Sequence, residues 1–435
     1  MSVIGCGYLG AVHAASMAQL GHDVVGIDVD PVKIASLAKG EAPFYEPGLA
    51  ELLTSLQSSG RLRFTTDIAE AKGATAHFIA VGTPQKKGEY SADLTFVDAA
   101  VTALVPHLSA GDVVVGKSTV PVGTAERLSE IVTAGAPGAY LAWNPEFLRE
   151  GFAVADTLTP DRIVYGVGPG EAGERATAVL GEVYATALAA ETPLIVTDYA
   201  TAELVKVAAN AFLATKISFI NAMAEIAEVT GADVTQLADA IGHDARIGRR
   251  FLNAGVGFGG GCLPKDLRAF AARAEELGKG ESVAFLKEVD AINLRRRQRV
   301  VDLVVEALDA EPFGKRVAVL GLSFKPDSDD VRDSPALDVA VQLTGRGADV
   351  IATDPQAIGT AGRLHPQLRF EADTLTALTG ADVVVVVTEW REYRELDPVV
   401  VGELVASKVI IDGRNCLDAE AWRAAGFTYI GMGRP

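Results

Sequence analysis

The residues most able to do chemistry follow a glycine-rich loop beyond the middle of the chain. Residues 255–270 read GVGFGGGCLPKDLRAF, so five glycines precede Cys262, and Lys265 and Asp266 follow it three and four residues later. Pro264 fits the first turn of the helix that the next residues predict. A thiol at a helix N-terminus is favoured as the thiolate, and a nearby lysine adds to this effect. We expect Cys262 to be a nucleophile; the alternative is an inert, small apolar residue.

The start of the chain carries the glycine pattern of a dinucleotide-binding turn. Gly5, Gly7 and Gly10 follow a β-branched segment and open a helical pattern, and Asp28 ends the next predicted strand. Glycine at these positions permits a tight turn, close approach of the backbone to a pyrophosphate and close helix packing. Asp28 would accept a hydrogen bond from a ribose 2′-hydroxyl and repel a 2′-phosphate, which favours NAD over NADP. A glycine turn that serves packing alone is the alternative.

Other polar residues stand where ligands bind in open α/β sheets. Thr119, Glu146 and Glu150 lie in segments that follow predicted strands, and ligands bind at the carboxyl ends of such strands. Lys206 and Asn210 are four residues apart in a long helical pattern, so both lie on one face of that helix. For this last pair a solvated polar stripe is the alternative.

Composition and charge limit the class of partner. The 435 residues carry a formal net charge of −18, which argues against nucleic acid or an anionic membrane as the main partner. The three cysteines, Cys6, Cys262 and Cys416, are too far apart for a disulfide framework or a zinc site. We therefore expect a reducing cytoplasm, no metal, and structural roles for Cys6 and Cys416.

The N-terminal segment predicts no targeting signal. It has neither a basic region nor the apolar region of a signal peptide, and no uninterrupted apolar run approaches the roughly 20 residues of a membrane helix. The first predicted strand begins directly at Met1. Because its usual lead-in residues are missing, we expect the chain to be clipped by a few residues.

Strands alternate with helices in two separate parts of the chain. Residues 1–195 predict an α/β domain with a doubly wound parallel sheet. Residues 311–435 repeat the order strand, glycine turn, helix, strand and terminal aspartate, which predicts a second Rossmann-like domain. Residues 196–310 between them predict a helical domain with one long helix over 198–231. Excess apolar surface on that helix could serve a dimer interface.

The second α/β domain lacks the complete glycine fingerprint. Gly321 is followed by Leu322 and Ser323 rather than by the second glycine of the pattern, and Lys325 lies in the same loop. A cation there could meet a phosphate, so we expect a mononucleotide half-site. A purely structural repeat is the alternative.

Together these segments resemble the UDP-glucose 6-dehydrogenase family of nucleotide-sugar dehydrogenases. The matching pieces run in order over nearly the whole chain: VIGCGYLG, PFYEPGL, VGTP, STVPVGT, NPEFLREG, ELVKVAANAFLATKISFIN, ARIG, FLNAGVGFGGGCLPKD, GLSFKPDSDDVRDSP and DGRN. The resemblance implies that C6 of UDP-glucose gives up two hydrides in succession to NAD, yielding UDP-glucuronate. It also implies a cysteine thiohemiacetal and thioester, because thiolate addition turns the aldehyde into a tetrahedral species that can lose hydride.

The resemblance also implies roles for single residues. Cys262 is the implied nucleophile, Lys206 stabilises the oxyanion or acts as acid and base, and Glu146 is the base for hydrolysis. Asp266 and Thr119 would position protons and water, with Asn210 at the oxyanion.

The same resemblance implies two sets of binding residues. Those expected at NAD are Gly5, Gly7, Leu9, Gly10, Asp28, Lys33, Thr83, Thr119, Glu150, Lys265 and Arg332. Those expected at the substrate are Glu146, Phe147, Leu148, Glu150, Lys206, Asn210, Arg246, Phe251, Leu252, Asn253, Ala254, Gly255, Gly259, Lys325 and Arg414. Arg414 would come from this chain or from a neighbouring subunit, since we expect a homodimer or higher homo-oligomer.

Three other functions are the alternatives. A GDP-mannose or UDP-N-acetylmannosamine dehydrogenase would share the mechanism, although FLNAGVGFGGGC and PFYEPGL are closer to the UDP-glucose branch. A non-catalytic nucleotide-sugar sensor would not need Cys262, Lys206, Asp266 and Glu146, all of which are present. A two-electron hydroxyacid dehydrogenase needs no thiol.

Overall fold

Two units, each built on its own sheet, make up the chain. A computed structural model describes residues 1–57 and 59–435. The first unit contains Met1–Ala209 and Ala272–Gly280, and the second contains Asn210–Ala271 and Glu281–Pro435.

The sheet of the first unit has the strand order β3-β2-β1-β4-β5-β6-β7-β8. Its central strands are buried along their whole length, as expected of strands covered by helices on both faces. The strands are Ser2–Ile4 (β1), Val24–Ile27 (β2), Leu62–Thr65 (β3), Ala76–Ile79 (β4), Val113–Gly116 (β5), Tyr140–Trp143 (β6), Ile163–Val167 (β7) and Leu194–Thr197 (β8).

One pairing in this sheet departs from the predicted parallel arrangement. β7 runs antiparallel to β6, whereas the neighbouring pairs β5–β6 and β7–β8 are parallel. The connection from β6 to β7 contains only one short helix, Ala153–Leu158. A helix of this length spans about 9 Å, too little to carry the chain back along the sheet. β7 therefore starts near the edge at which β6 ends.

The helices of the first unit pack on this sheet. Asp30 caps one of them by accepting hydrogen bonds from the backbone N–H groups of Val32 and Lys33. The helices are Tyr8–Gln19 (α1), Pro31–Ala38 (α2), Leu49–Gln57 (α3), Thr95–Leu104 (α4), Thr124–Gly135 (α5), Ala153–Leu158 (α6), Glu171–Val183 (α7) and Ala185–Ala189 (α8).

The glycine turn between β1 and α1 has a different constraint at each glycine. Gly5 has a φ of +91°, which favours glycine. A Cβ on Gly10 would overlap the carbonyl oxygen of Gly5, so only glycine fits there. A Cβ on Gly7 would meet nothing within 4 Å, which leaves open space beside the backbone at the N-terminus of α1.

The long helix predicted over 198–231 is confirmed as Tyr199–Thr230 (α9). The segment contains neither proline nor glycine, and Gly231 follows it with a φ of +75°, as expected of a residue that ends a helix. Among the helices that the structure describes, α9 alone is long and apolar enough to cross a membrane by length and composition, a test that buried helices of folded proteins also pass. Residues of α9 belong to both units.

The sheet of the second unit has the order β11-β10-β9-β12-β13-β14, and its pairs are parallel. Its strands are Arg316–Leu320 (β9), Asp349–Thr353 (β10), Arg369–Phe370 (β11), Val383–Val386 (β12), Val409–Asp412 (β13) and Thr428–Gly431 (β14). The helices are Val234–Gly242 (α10), Leu263–Glu276 (α11), Phe285–Ala307 (α12), Pro335–Gly345 (α13), Ile358–Leu364 (α14), Thr374–Leu378 (α15), Arg391–Arg394 (α16), Pro398–Leu404 (α17) and Ala419–Ala424 (α18). Residues 272–276 of α11 belong to the first unit.

The predicted repeat of the first turn is confirmed in the second sheet. Gly321 follows β9 with a φ of +117°, and Asp354 follows β10. One oxygen of the Asp354 carboxylate accepts hydrogen bonds from the backbone N–H groups of Leu322 and Ser323, at 2.8 and 3.0 Å. Asp28 in the first unit accepts from the N–H of Cys6 in the same way, at 2.7 Å. Both turns are thus fixed by the aspartate after the second strand.

A buried asparagine fixes the glycine loop ahead of Cys262. The side chain of Asn293, on α12, accepts a hydrogen bond from the N–H of Phe258 at 2.7 Å and donates one to the carbonyl of Phe258 at 2.9 Å. A Cβ on Gly257 would collide with this side chain. The loop can therefore lie this close to α12 only because glycine precedes Phe258.

Substitutions at Gly7 and Gly10 should separate ligand binding from folding. We expect Gly7→Ala to fold with an unchanged melting temperature but to raise the Kd for NAD⁺ at least about tenfold, because the new methyl group would fill the space of a bound pyrophosphate. Gly10→Ala should lower the melting temperature, since its Cβ would overlap Gly5. Titration calorimetry and thermal melts measure both effects. Unchanged NAD⁺ affinity in Gly7→Ala would show that the turn serves packing only.

Asn293→Ala should destabilise the second unit by about 2–4 kcal/mol, because it leaves the buried N–H of Phe258 without its partner and removes a second hydrogen bond. Urea unfolding followed by far-UV circular dichroism measures this. Asn293→Asp should also be destabilising, because it sets an acceptor against the Phe258 carbonyl and buries a carboxyl group. Equal midpoints for wild type and Asn293→Ala would contradict the assigned role.

Candidate functional site

Several of the residues predicted at NAD follow strands of the first sheet, at its carboxyl edge. Gly5 follows β1, Thr83 follows β4 and Thr119 follows β5, and the strand order reverses between β1 and β4, where such sheets bind ligands. The hydroxyl of Thr83 donates a hydrogen bond to the carbonyl of Thr119 at 2.8 Å. The loops after β4 and β5 are thus joined beside the glycine turn.

The carboxylate of Asp28 is oriented before any ligand binds. It is 8% exposed, and Lys33 donates a hydrogen bond to it at 2.8 Å. Together with its bond from Cys6, this directs the carboxylate into the turn. The open space at Gly7 and this acid at the end of β2 fit a dinucleotide with a free ribose hydroxyl.

Two other residues predicted in this region have different surroundings. Leu9 is partly buried against the core of the first unit. Glu150 lies close to Tyr8 of the glycine turn. Burial, above all, raises the pKa of the Tyr8 phenol, with further contributions from Glu46 and Glu150.

A buried ion pair joins the loop after β6 to α9. Lys206 contacts one oxygen of Glu146 at 2.9 Å, and the other oxygen accepts a hydrogen bond from the N–H of Leu148 at 2.6 Å. Burial raises the pKa of Glu146, but Lys206 and this hydrogen bond outweigh it, so the pKa lies below its ordinary value. Glu146 is therefore ionised and accepts a hydrogen bond from the ammonium of Lys206. The Lys206 ammonium also lies 5.7 Å from the ring centre of Phe147.

Two further polar residues in the first unit were missed by the sequence predictions. Lys117, just after β5, is buried and hydrogen-bonded to Asn144. Glu46 is buried and accepts hydrogen bonds from the N–H groups of Gly151 and Ala153, each at 2.7 Å, and from the hydroxyl of Tyr8. Glu46 lies in PFYEPGL, one of the segments that carried the family resemblance, and Lys117 directly precedes another, STVPVGT. Neither position shows in the sequence which residue its side chain contacts.

The second unit presents Cys262 at the start of a helix. The thiol is exposed, α11 begins at the next residue, and the carbonyl of Cys262 accepts the hydrogen bond of Asp266 N–H at 2.9 Å. Pro264 lies in the first turn of α11, as predicted. A thiol in this position is favoured as the thiolate. The guanidinium of Arg332 packs against Gly261, the residue before Cys262.

Asp266 links two of the predicted catalytic residues in the same unit. Its carboxylate is 3% exposed; one oxygen contacts Lys265 at 2.5 Å and the other accepts a hydrogen bond from the amide of Asn210 at 2.7 Å. Asn210 is thereby held in one orientation. Lys265 was expected beside the thiol or the cofactor, and its contact in this structure is Asp266.

A cleft of ≈ 610 Å³ opens in the second unit. Its polar lining is rich in cations, which suits a diphosphate. Most residues predicted to hold the sugar nucleotide line it: Phe251, Leu252, Asn253, Ala254, Gly255, Gly259, Lys325 and Arg414. Two arginines that the sequence predictions missed, Arg249 and Arg394, line it as well.

Arg414 lines the cleft of its own chain. Its guanidinium donates hydrogen bonds to the carbonyls of Gly257 and Phe324, at 3.0 and 2.9 Å. Arg246, in contrast, does not line this cleft: its side chain is 89% exposed and pairs with Asp244. Arg249 is the arginine of this segment that reaches the cleft, where it donates to Asn253 at 2.7 Å. The role of Arg246 stays a prediction.

Comparison with known proteins agrees with these features. Three models of the UDP-glucose/GDP-mannose dehydrogenase family match the chain: the NAD binding domain over residues 1–188, the central domain over 200–295 and the UDP binding domain over 318–419. The UDP-glucose 6-dehydrogenase TuaD of Bacillus subtilis is 43% identical over 441 residues, covering 100% of this chain and 93% of that protein.

Solved structures show the same likeness. A UDP-glucose dehydrogenase from the archaeon Pyrobaculum islandicum superimposes with a TM-score of 0.90 at 41% identity, covering 100% of this chain and 97% of that one. A UDP-D-ManNAc dehydrogenase from Pyrococcus horikoshii gives a TM-score of 0.85 at 27% identity, with coverage of 100% and 99%. The predicted fold, two parallel-sheet α/β parts with a helical region and a long helix between them, is confirmed. The chain belongs to the UDP-glucose/GDP-mannose dehydrogenase family.

Proposed function

We propose that the protein oxidises the C6 hydroxyl of UDP-glucose to the carboxylate, with NAD⁺ as the hydride acceptor in both oxidations. The observation that carries this proposal is the exposed Cys262 at the start of α11, in the unit that also holds a cation-lined cleft of ≈ 610 Å³. A thiol is needed only if the aldehyde must be oxidised further. The presence of Cys262 therefore favours a four-electron dehydrogenase over a two-electron one.

The reaction requires proton transfers that the buried polar groups can perform. In the first oxidation a hydride leaves C6 and the hydroxyl proton passes to a base. We assign stabilisation of the negative charge that develops on the oxygen as its proton leaves to Lys206 and Asn210, and uptake of that proton to a water molecule placed by Asp266 and Thr119. Asn210 is held in place by Asp266.

The thiolate of Cys262 then adds to the aldehyde carbon, and the thiohemiacetal oxygen takes up a proton. Loss of a second hydride and of that proton gives the thioester. Glu146 deprotonates the water that hydrolyses it, with Thr119 helping to place that water, and the acid and the free thiol are released. Glu146 can accept this proton once Lys206 has left it and donates its hydrogen bond to the substrate oxygen.

UDP-glucose is favoured over related sugar nucleotides by the comparisons. Relatives named for UDP-glucose are 39–43% identical to this chain, and the one named for UDP-D-ManNAc is 27% identical. A UDP-N-acetylmannosamine or GDP-mannose dehydrogenase would use the same catalytic residues. A substrate assay must therefore compare UDP-glucose, UDP-N-acetylmannosamine and GDP-mannose.

We propose three functional parts along the chain: a cofactor domain over residues 1–195, a helical domain over 196–310 and a UDP-sugar domain over 311–435. The family models, which change near residues 188–200 and 295–318, support this division.

We also propose a cytoplasmic location. The described cysteines are free, which supports it.

We propose a homodimer that uses one face of α9. Phe212, Phe219 and Ile226 are spaced by seven residues on this helix and are 68%, 49% and 53% exposed. Residues at this spacing lie on one face, and a row of exposed large apolar side chains is typical of a protein interface. A second copy of the chain would cover it.

Cys262→Ala should abolish UDP-glucuronate formation, by about 10³-fold or more, while NAD⁺ affinity stays within about twofold of wild type. The wild-type protein should form two NADH for each acid, counted by absorbance and chromatography with a panel of nucleotide sugars. Cys416→Ala is the control for loss of a thiol from the same cleft, because burial, above all, raises the pKa of Cys416 and disfavours its thiolate. One NADH per acid in the wild type, or acid formation by Cys262→Ala, would exclude the thioester route.

Phe219→Lys should convert the protein to a single chain of 45.4 kDa in sedimentation velocity, because a cation in an apolar interface is strongly unfavourable. Phe313→Lys is the control, since Phe313 is 85% exposed and lies outside α9. An unchanged oligomer in Phe219→Lys would show that this face of α9 is not the interface.

A further inference from the structure

A buried lysine that the proposed chemistry does not use lies beneath the Glu146 loop. Lys117 is 6% exposed, and its ammonium donates hydrogen bonds to the side-chain oxygen of Asn144 at 2.9 Å and to the hydroxyl of Tyr184 at 3.1 Å. The Tyr184 hydroxyl in turn donates to the same Asn144 oxygen at 2.6 Å. These contacts close a three-membered polar network inside the first unit.

This network joins the ends of two neighbouring strands. Lys117 comes directly after β5 and two residues before Thr119, while Asn144 comes directly after β6 and two residues before Glu146. The Asn144 amide also donates to the carbonyl of Val164 on β7, at 2.9 Å. Lys117 therefore ties the loop that bears Glu146 to the loop that bears Thr119.

Lys117 and Glu146 also line one cavity of ≈ 60 Å³. Two of the three ammonium hydrogens of Lys117 are used by Asn144 and Tyr184. A polar cavity of this size can hold water, which can carry the third hydrogen bond towards the carboxylate. Each group lowers the cost of burying the other: Glu146 raises the pKa of Lys117, and Lys117 lowers the pKa of Glu146.

The reason for a second cation follows from what Lys206 must do. Lys206 neutralises Glu146 at 2.9 Å, yet it must leave that carboxylate to meet the substrate oxygen. Once its partner leaves, the ionised form of a buried carboxylate is strongly unfavourable. The carboxylate would then take up a proton and become neutral. A protonated Glu146 could not deprotonate water.

We propose that Lys117 is a positioning residue that keeps Glu146 ionised and in place while Lys206 serves the substrate. The role of Glu146 as the base rests on the proposed function. A buried lysine is otherwise a poor choice at this position: burial, above all, lowers its pKa to about 8, and the like charge of Lys206 adds to this. An apolar residue would fill the space without that cost.

The charged and titratable groups around this pair are few. Lys206 and Lys117 face Glu146, while His13, Asp156, Asp161 and Arg162 also line the cavity. Burial holds the pKa of His13 well below its ordinary value, so His13 stays neutral in the working range. Asp156 is paired with Arg149. Removal of the Lys117 charge should therefore act mainly on Glu146.

Lys117→Met tests the proposal through the pH profile of kcat with saturating UDP-glucose, because that profile reports groups of the enzyme–substrate complex, in which Lys206 has left Glu146. The wild-type profile should fall at low pH as Glu146 becomes protonated. Without Lys117 the pKa of Glu146 rises, so this acid limb should move to higher pH by about one unit, and kcat should fall about tenfold while the KM for NAD⁺ stays within about twofold.

Tyr184→Phe is the control for a merely structural role. It breaks the same network but keeps the cation, so its acid limb should stay at the wild-type pH. If Lys117→Met does not fold, Lys117→Gln replaces it, since glutamine keeps a donor for Asn144 and lacks the charge. An acid limb that stays in place without the Lys117 charge, or that moves equally in Tyr184→Phe, would overturn the proposal.

A second measurement needs no substrate. Lys117→Met is made in the wild type and in Glu146→Gln, and the thermal midpoints are compared at pH 7. The charge interaction exists only with Glu146, so Lys117→Met should lower the midpoint more in the wild type than in Glu146→Gln. Equal changes in both backgrounds would overturn the proposal. Lack of UDP-glucose turnover by the wild type would contradict the proposed function alone.

Discussion

A buried carboxylate stays ionised only when cations or hydrogen-bond donors surround it, and Glu146 depends on this condition. Lys206 lies 2.9 Å from it, and the N–H of Leu148 lies 2.6 Å away. The arrangement requires that the loop after β6, the end of β5 and the helix α9 be held together. Parallel strands with buried carboxyl ends provide that placement, because they bring the residues after each strand to one edge.

In the second unit, backbone packing fixes the loop that leads to Cys262. Glycines let the segment 257–261 lie against α12 on one side and against Arg332 on the other, and Asn293 fixes the backbone of Phe258. This leaves Cys262 exposed one residue before α11 begins. The end of the loop thus places the thiol at a helix N-terminus, a position that favours the thiolate.

The features that the sequence could predict are those with local causes. The glycine fingerprint, Asp28, the long helix and the repeated strand–turn–helix pattern each depend on residues close in sequence. The antiparallel β7 was missed, because pairing direction depends on how a short helix carries the chain along the sheet. Lys117, Glu46 and Asn293 were missed as well, since their partners are 27 or more residues away. Arg246 was expected at the substrate from the family resemblance, and that role stays a prediction. Arg249 was not predicted, because its place in the cleft depends on how the loop folds.

The central claim is that Cys262 carries the substrate as a thioester before water releases the acid. The most direct test is to mix Glu146→Gln with UDP-glucose and NAD⁺, quench with acid and measure the masses of the cysteine-containing peptides. Hydrolysis should be slow without the carboxylate, so a nucleotide-sugar acyl group should accumulate on the Cys262 peptide. Turnover with no adduct on that peptide, or an adduct on Cys6 or Cys416, would contradict the account.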